Sequence, residues 1–222
     1  MIGKYILSGR IQAITAITLS ALISFLLPPF AFLISGSVVG LLTLRKGIVY
    51  TLNALVISGL ILQIFFIFLG ISLYINSIYV LIIWLPILFL SAILRFSERQ
   101  GVLILFAGLI TTILVIIFYS IIGDVSVWWQ ERLDLVFEQS LAPEQLNEYR
   151  TALASTSGFI NAMILAGFMM NMIMSVLFAR WWQSRLFNLG GFRKEFYRLR
   201  IPIIILPVFI IILALALIVN EP

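Results

Sequence analysis

The sequence predicts an all-α fold: a polytopic bundle of about seven transmembrane helices with a cytoplasmic N-terminus and short interfacial amphipathic helices. Three observations predict it. The chain of 222 residues is 63% hydrophobic and 10% charged, against about 45–50% and 25% in an ordinary soluble domain, so it cannot cover its apolar surface in water. Its charges are excluded from apolar runs close to the roughly 20 residues that cross a hydrocarbon core of about 30 Å. The charges outside those runs sort by sign.

Taken in order, the first two runs, Ile11 to Leu27 and Pro29 to Leu44, form one uncharged stretch broken only by Pro28-Pro29. The missing N–H groups and the steric clash of the proline rings stop a helix there, which predicts a tight hairpin. The first run is expected to stay as an anchor and not to be cleaved, because it leads straight into that hairpin. The later runs are Ile48 to Ile71, Ser77 to Leu94, Val102 to Gly123, Gly158 to Ala179 and Ile201 to Val219. No repeat, low-complexity linker or soluble-domain-sized segment interrupts them, so residues 1–222 are expected to form a single integral membrane domain.

With seven passes and the N-terminus inside, the cytoplasmic side collects Lys4, Arg10, Arg45, Lys46, Arg95, Arg99, Arg180, Arg185, Arg193, Lys194, Arg198 and Arg200, twelve of the fourteen basic residues, with Glu98 and Glu195. The outside keeps Arg132 and Arg150 with Asp124, Glu131, Asp134, Glu138, Glu144, Glu148 and Glu221. This is the asymmetry of a multi-pass protein of the bacterial cytoplasmic (inner) membrane. Reading Ile11 to Leu44 as one tilted span would reverse every later loop and spoil the partition, so the stretch is either two passes or a re-entrant pair, which the charges do not separate.

The chain has no Cys and no His, which excludes disulfides, thiol nucleophiles, His-ligated metals and His-based acid/base schemes. No charged residue lies in the middle of a span, which disfavours a carboxylate proton relay, and no GxxxxGK[ST] phosphate loop occurs. A non-catalytic protein with no cofactor and no metal is expected, and any energy coupling must come from a partner.

Uncharged polar residues remain in the spans, among them Asn53, Gln63, Asn161 and Asn171. They either hydrogen-bond between helices or orient a ligand. The sixth run carries Asn161 and Asn171 together with Met163, Met169, Met170, Met172 and Met174. Adaptable, polarizable Met side chains beside two amides describe either irregular core filling or the wall of a pocket for an apolar or amphiphilic ligand, with Asn161, Asn171, Met163, Met170, Trp128 and Trp129 as its candidate residues. Small residues repeat every four positions at Ala16, Ser20 and Ser24, at Gly36 and Gly40, and at Gly158, Ala162 and Ala166. Such seams serve internal packing or, on the N-terminal hairpin, docking of another membrane subunit through Ala16, Ser20, Ser24, Gly36 and Gly40.

Two polar segments stand outside the spans. Residues 124–157 carry Trp129, Leu133, Val136 or Phe137, and Leu141 at helical spacing, followed by Pro143 at the first turn of a second short helix, an external amphipathic pair with Trp128 and Trp129 at the interface. Its functional version is a lid over an outward-facing pocket. Residues 180–200 set six basic residues among Trp181, Trp182, Phe187, Phe192, Phe196 and Tyr197, and Asn188-Leu189-Gly190-Gly191 is a turn signal. That composition fits the cytoplasmic headgroup layer of the bilayer, and so close to two spans an anionic lipid is favoured over nucleic acid.

Arg180, Trp181, Trp182, Gln183, Leu186, Phe187, Asn188, Gly190, Gly191, Phe192, Glu195, Phe196, Leu199 and Arg200 make up a pattern that resembles the YybS-like family of uncharacterised bacterial membrane proteins, over about 20 residues. That family looks distantly related to the S components of energy-coupling-factor transporters. The resemblance implies a small-solute binding subunit that works with a transmembrane coupling subunit and cytoplasmic ATPases. The alternative is a membrane scaffold or assembly protein acting through its cytoplasmic basic-aromatic loop.

Overall fold

A computed structural model describes residues 2–26, 31–137 and 143–200. Among them the chain is entirely helical, with no strand. It comprises α1 (Ile2–Ile6), α2 (Arg10–Leu26), α3 (Ala31–Lys46), α4 (Ile48–Phe68), α5 (Leu73–Tyr79), a π-helical turn (Val80–Trp84), α6 (Leu85–Ser97), α7 (Gln100–Ile122), α8 (Val125–Phe137), α9 (Pro143–Phe187) and α10 (Gly191–Tyr197). Among the described residues four helical stretches are long and apolar enough to cross a membrane: Ile48–Phe68, Val80–Ser97, Gln100–Ile122 and Phe159–Phe187. α2 and α3 are shorter, at 17 and 16 residues. The Pro28-Pro29 turn, the stretch 138–142 and the seventh run, 201–219, lie outside the described residues.

The chain divides into two compact units, Met1–Ala107 with Asn171–Pro222, and Gly108–Met170. The first is organised around α3. Every residue from Ser35 to Leu44 is buried, so α3 is apolar or small on all sides and is enclosed by other helices. It packs on α2, α4, α6 and the π turn. Its glycines explain the closeness: a Cβ on Gly40 would stand 2.8 Å from Ala179 Cβ and 3.1 Å from Ser91 Oγ, and one on Gly36 would stand 2.8 Å from Ser175 Oγ. In lipid, where no hydrophobic drive joins helices, such backbone approach is what dispersion and hydrogen bonding need. Arg10 and Lys46 line one cavity, so the start of α2 and the end of α3 lie together.

Polar side chains inside this unit find partners across helices. Trp84, fully buried, donates its indole N–H to Ser35 Oγ at 2.8 Å. Ser58 Oγ donates to the Ile14 carbonyl at 3.2 Å, and Asn76 Nδ2 to the Gly59 carbonyl and Gln63 Oε1, both at 3.0 Å. Each such bond between helices contributes about 0.6–2 kcal/mol. The outward faces are the reverse of a soluble protein's. On α4, Val56, Leu60, Ile64 and Phe68 are exposed; in the second unit, Ile113, Ile116, Ile117 and Ile121 of α7 are exposed as well. An apolar face of this length has lipid as its natural solvent.

Two elements differ from the sequence reading. The fourth run is not one regular helix: its α-helical ladder is widened into a π turn immediately before Pro86. Pro86 has no N–H for the Ile82 carbonyl and its ring crowds that carbonyl, so the ladder adjusts over the preceding turn. The second external helix is also not separate. α9 begins at Pro143, the first-turn position expected of a proline, but runs unbroken for 45 residues to Phe187. Gly158 and Gly167 are its only strong helix weakeners, each costing about 1 kcal/mol, too little to end a helix of Ala, Leu, Met and Ser. The turn from α3 to α4 is one residue, Gly47, at φ 97°, a region that glycine enters without a Cβ clash.

Candidate functional site

The described residues of the first unit bring the RWWQ…GGF pattern together as a closed hairpin. α9 ends at Phe187, the chain turns through Asn188–Gly190, and α10 returns. Gly190 lies at φ 84°, the left-handed position that the turn needs and that only glycine takes without strain. Ser184 Oγ donates to the Asn188 carbonyl at 2.7 Å and accepts the Phe192 N–H at 3.0 Å, so one hydroxyl ties both sides of the turn. Across the hairpin, Arg180 Nε and Nη2 donate to the two oxygens of Glu195 at 2.9 and 2.7 Å, and Nη1 donates to Gln183 Oε1 at 2.7 Å. A planar guanidinium engaging a carboxylate through two parallel bonds fixes both distance and orientation. The pair is about three-quarters shielded, with side chains 24% and 27% exposed, so it is screened less than a surface pair.

The aromatic residues divide into anchors and free faces. Trp182 Nε1 would stand 2.8 Å from a Cβ on Gly3, so α1 lies against Trp182 and Leu186. Trp181 stacks near Phe178 at 5.1 Å, with Arg185 over its ring at 5.5 Å. Phe192 and Phe196 rings are 5.7 Å apart, and Arg193 lies 5.5 Å over Tyr197. Trp181, Phe196 and Tyr197 remain exposed, at 39%, 50% and 75%, around a cleft of about 480 Å³ that Arg185 and Arg193 also line. Nearby, Arg45 sits 4.0 Å over the Phe187 ring, and Lys4, Arg45, Lys46 and Phe187 line a second cleft of about 320 Å³. A third, of about 600 Å³, sets Arg10, Lys46, Tyr50 and Asn53 above Ile14, Val49, Val56 and Ile57. Basic and aromatic side chains thus share all three clefts. Arg200 is exposed and lines a further cavity with Arg99 and Gln100.

The other residues singled out in the sequence are placed differently. Ser20 and Ser24 are buried and Ser24 Oγ donates to the Ser20 carbonyl at 2.8 Å, while Ala16 is half-buried. With Gly36 and Gly40 enclosed by α6 and α9, most of these small residues are occupied in internal packing. On α9, Asn161 is 4% exposed and Met163 and Met170 are 73% and 61% exposed. At about 100° per residue, Met163 and Met170 share one face and Asn161 is half a turn from Met170, so the helix does not collect the amide and the thioethers on one side. Asn171 Oδ1 accepts from Ser175 Oγ at 3.3 Å. In the second unit, Trp128 and Trp129 pack edge to face at 4.9 Å, Phe118 meets Trp128 at 5.8 Å, and Arg132 lies 5.5 Å over the Trp128 ring. Arg150 Nε meets Asp134 Oδ2 there at 3.3 Å, and Phe137 and Tyr149 rings are 4.4 Å apart. Burial, and after it the charge of Asp134, raises the Tyr149 phenol above its ordinary pKa.

Among the described residues no group of three acidic side chains is placed to hold a metal ion. Comparison with protein-family models, with curated proteins and with solved structures finds no match for this chain. The site is therefore read from its own geometry. Sequence reasoning passed over Ser184, whose hydroxyl closes the turn, and Gln100, an uncharged residue at the edge of a long apolar run. The signal for Ser184 was its position four residues before Asn188, within reach of a helix's last free carbonyls.

Proposed function

We propose that this chain is a non-catalytic, seven-pass protein of the bacterial cytoplasmic membrane that acts as a scaffold, its working surface being the cytoplasmic basic-aromatic hairpin, which docks an acidic protein partner. The observation that carries this reading is the division of labour within the hairpin. Arg180, Gln183, Ser184 and Glu195 are consumed in holding it shut, while Arg185, Arg193, Lys194, Trp181, Phe196 and Tyr197 stay exposed. Rigid Trp, Tyr and Arg side chains ordered in advance are the groups that dominate protein interfaces, because little entropy is lost when a partner covers them.

Photocrosslinking from positions 181 and 196 in native membranes tests it. A crosslinked protein band that disappears with Arg185→Glu/Arg193→Glu supports docking, and adducts with lipid alone overturn it. The topology rests on the sign partition of the charges, and the absence of Cys makes it easy to test. Single cysteines introduced at Lys46 and Arg193 should be protected from impermeant reagents outside the cell, and one at Arg132 should react.

A second reading, an S-component-like solute binder that works with a coupling subunit and ATPases, is favoured by the burial of Asn161 in a helix free of charge at that depth. Native mass spectrometry of gently solubilised protein separates the two. A small molecule lost on Asn161→Ala or Asn171→Leu supports the second reading.

A further inference from the structure

α6 ends at Ser97 and α7 begins at Gln100, leaving Glu98 and Arg99 as the whole connection. Beside it, within the same unit, the chain leaving α10 returns, and the two segments enclose a cavity of about 530 Å³ whose wall includes Glu98, Arg99, Gln100, Glu195, Arg198 and Arg200. Gln100 is 3% exposed, and neither its amide N nor its amide O has a hydrogen-bond partner. A buried amide with both functions open is rare in folded proteins and points to a partner that arrives from outside the chain. Gln100 is also the first residue of a 23-residue helix. Its N–H and that of Gly101 have no intrahelical acceptor, and the positive end of the helix dipole faces that turn.

The charges agree with the helix. Arg99, Arg198 and Arg200 are exposed and make no ion pair among the described residues. Both oxygens of Glu195 accept from Arg180, which neutralises that carboxylate. Glu98 is the remaining acid, so the wall presents three free guanidiniums against one free carboxylate. We propose that this cavity is a binding site for a phosphate-bearing ligand. Its phosphoryl oxygens meet Arg99, Arg198, Arg200 and the first turn of α7, a neighbouring polar group pairs with the Gln100 amide, and Glu98 accepts from a hydroxyl or ammonium on the same ligand. Arg is suited to this because its planar fork matches two phosphate oxygens at once. The cavity is larger than inorganic phosphate alone requires, which leaves room for a substituent. The phosphate belongs either to a lipid headgroup or to a soluble phosphate ester.

The test uses the full chain at constant ionic strength. In one arm, inorganic phosphate and glycerol 3-phosphate are added to detergent-solubilised protein and the thermal midpoint is read. In the other, bound lipid is counted by native mass spectrometry after release from nanodiscs of phosphatidylglycerol or phosphatidylcholine. Binding in the first arm identifies a soluble ester, and retention of phosphatidylglycerol alone identifies a headgroup. Arg198→Gln/Arg200→Gln, at exposed positions that folding does not need, should weaken binding by about tenfold or more. Gln100→Leu should raise the midpoint of the unliganded protein, because it removes an unpaired amide from the interior, and should reduce or abolish the ligand-dependent change. Arg185→Gln/Arg193→Gln, in the hairpin's own cleft, should leave binding intact. The proposal is overturned if neither arm shows binding, or if the Arg198/Arg200 and Gln100 variants bind as the parent does.

Discussion

Two polar segments of this chain, residues 124–157 and 180–200, read alike in the sequence: each is an amphipathic helical pair with tryptophans at one edge. They differ in structure. In the second, the turn signal is honoured, and the hairpin is tied by Ser184 and by a two-point Arg180–Glu195 pair. In the first, Pro143 starts a helix and nothing stops it before Phe187. The corresponding ion pair, Arg150–Asp134, closes at 3.3 Å between side chains 46% and 29% exposed. The difference teaches that ending a helix needs both a residue that permits the backbone geometry and side chains that hold the chain beyond it. Asn188, Gly190 and Ser184 provide both after Phe187, whereas Pro143 marks only where a helix begins.

The largest effect should come from breaking the tie. Arg180→Ala leaves Glu195 part-buried without its guanidinium and should destabilise the hairpin by about 2–3 kcal/mol, the scale of charge-assisted hydrogen bonds. A double-mutant cycle over Arg180 and Glu195, read from unfolding in mixed micelles, should give a coupling of about 2 kcal/mol. A cycle over Arg150 and Asp134 should give less than about 1 kcal/mol, as exposed pairs do. Equal couplings would mean that the two ties do not differ in strength and would remove the basis of the comparison.

Next comes the turn itself. Gly190→Ala places a Cβ at φ 84° and should cost about 1–2 kcal/mol. No neighbour lies within 4 Å of that Cβ, so the penalty is backbone strain alone. Gly190→Asn, which tolerates the left-handed region better, should recover part of it. If Gly190→Ala unfolds at the parental midpoint, the turn is not held where the structure has it.

These contrasts show what the sequence made legible. The long helices of this chain were readable because exclusion of charge is a one-dimensional signal: α4 and α7 start and stop within a few residues of their apolar runs. Break positions were less readable, because they depend on a balance of small terms. The π turn before Pro86 relocates a defect that the proline imposes, and the run-on α9 reflects glycine penalties too small to end a helix. At the candidate sites, residue types pointed to a basic-aromatic surface, but not to which residues face inward. Arg180 and Glu195 are 15 positions apart, so their meeting depends on the turn's geometry, and each looked like one more charge. Gln100 was invisible for the opposite reason, since a single neutral amide at the end of an apolar run changes no average.

The smallest effect concerns the first segment and separates charge from burial there. The Tyr149 phenol is raised by burial first and by the negative charge of Asp134 second. A phenol raised in the folded state keeps its proton longer than the unfolded chain does. Its stability contribution is therefore complete below the ordinary value of about 10 and is lost as pH rises through the folded value. Asp134→Asn removes the lesser cause, so phenolate absorbance assigned by difference against Tyr149→Phe should appear at lower pH than in the parent, though still above the ordinary value because burial by the neighbouring Phe137 ring persists. The same substitution ends the pairing with Arg150 and should cost less than about 1 kcal/mol near neutral pH. A Tyr149 titration that does not move would show that Asp134 lies farther from the ring in solution than the structure has it.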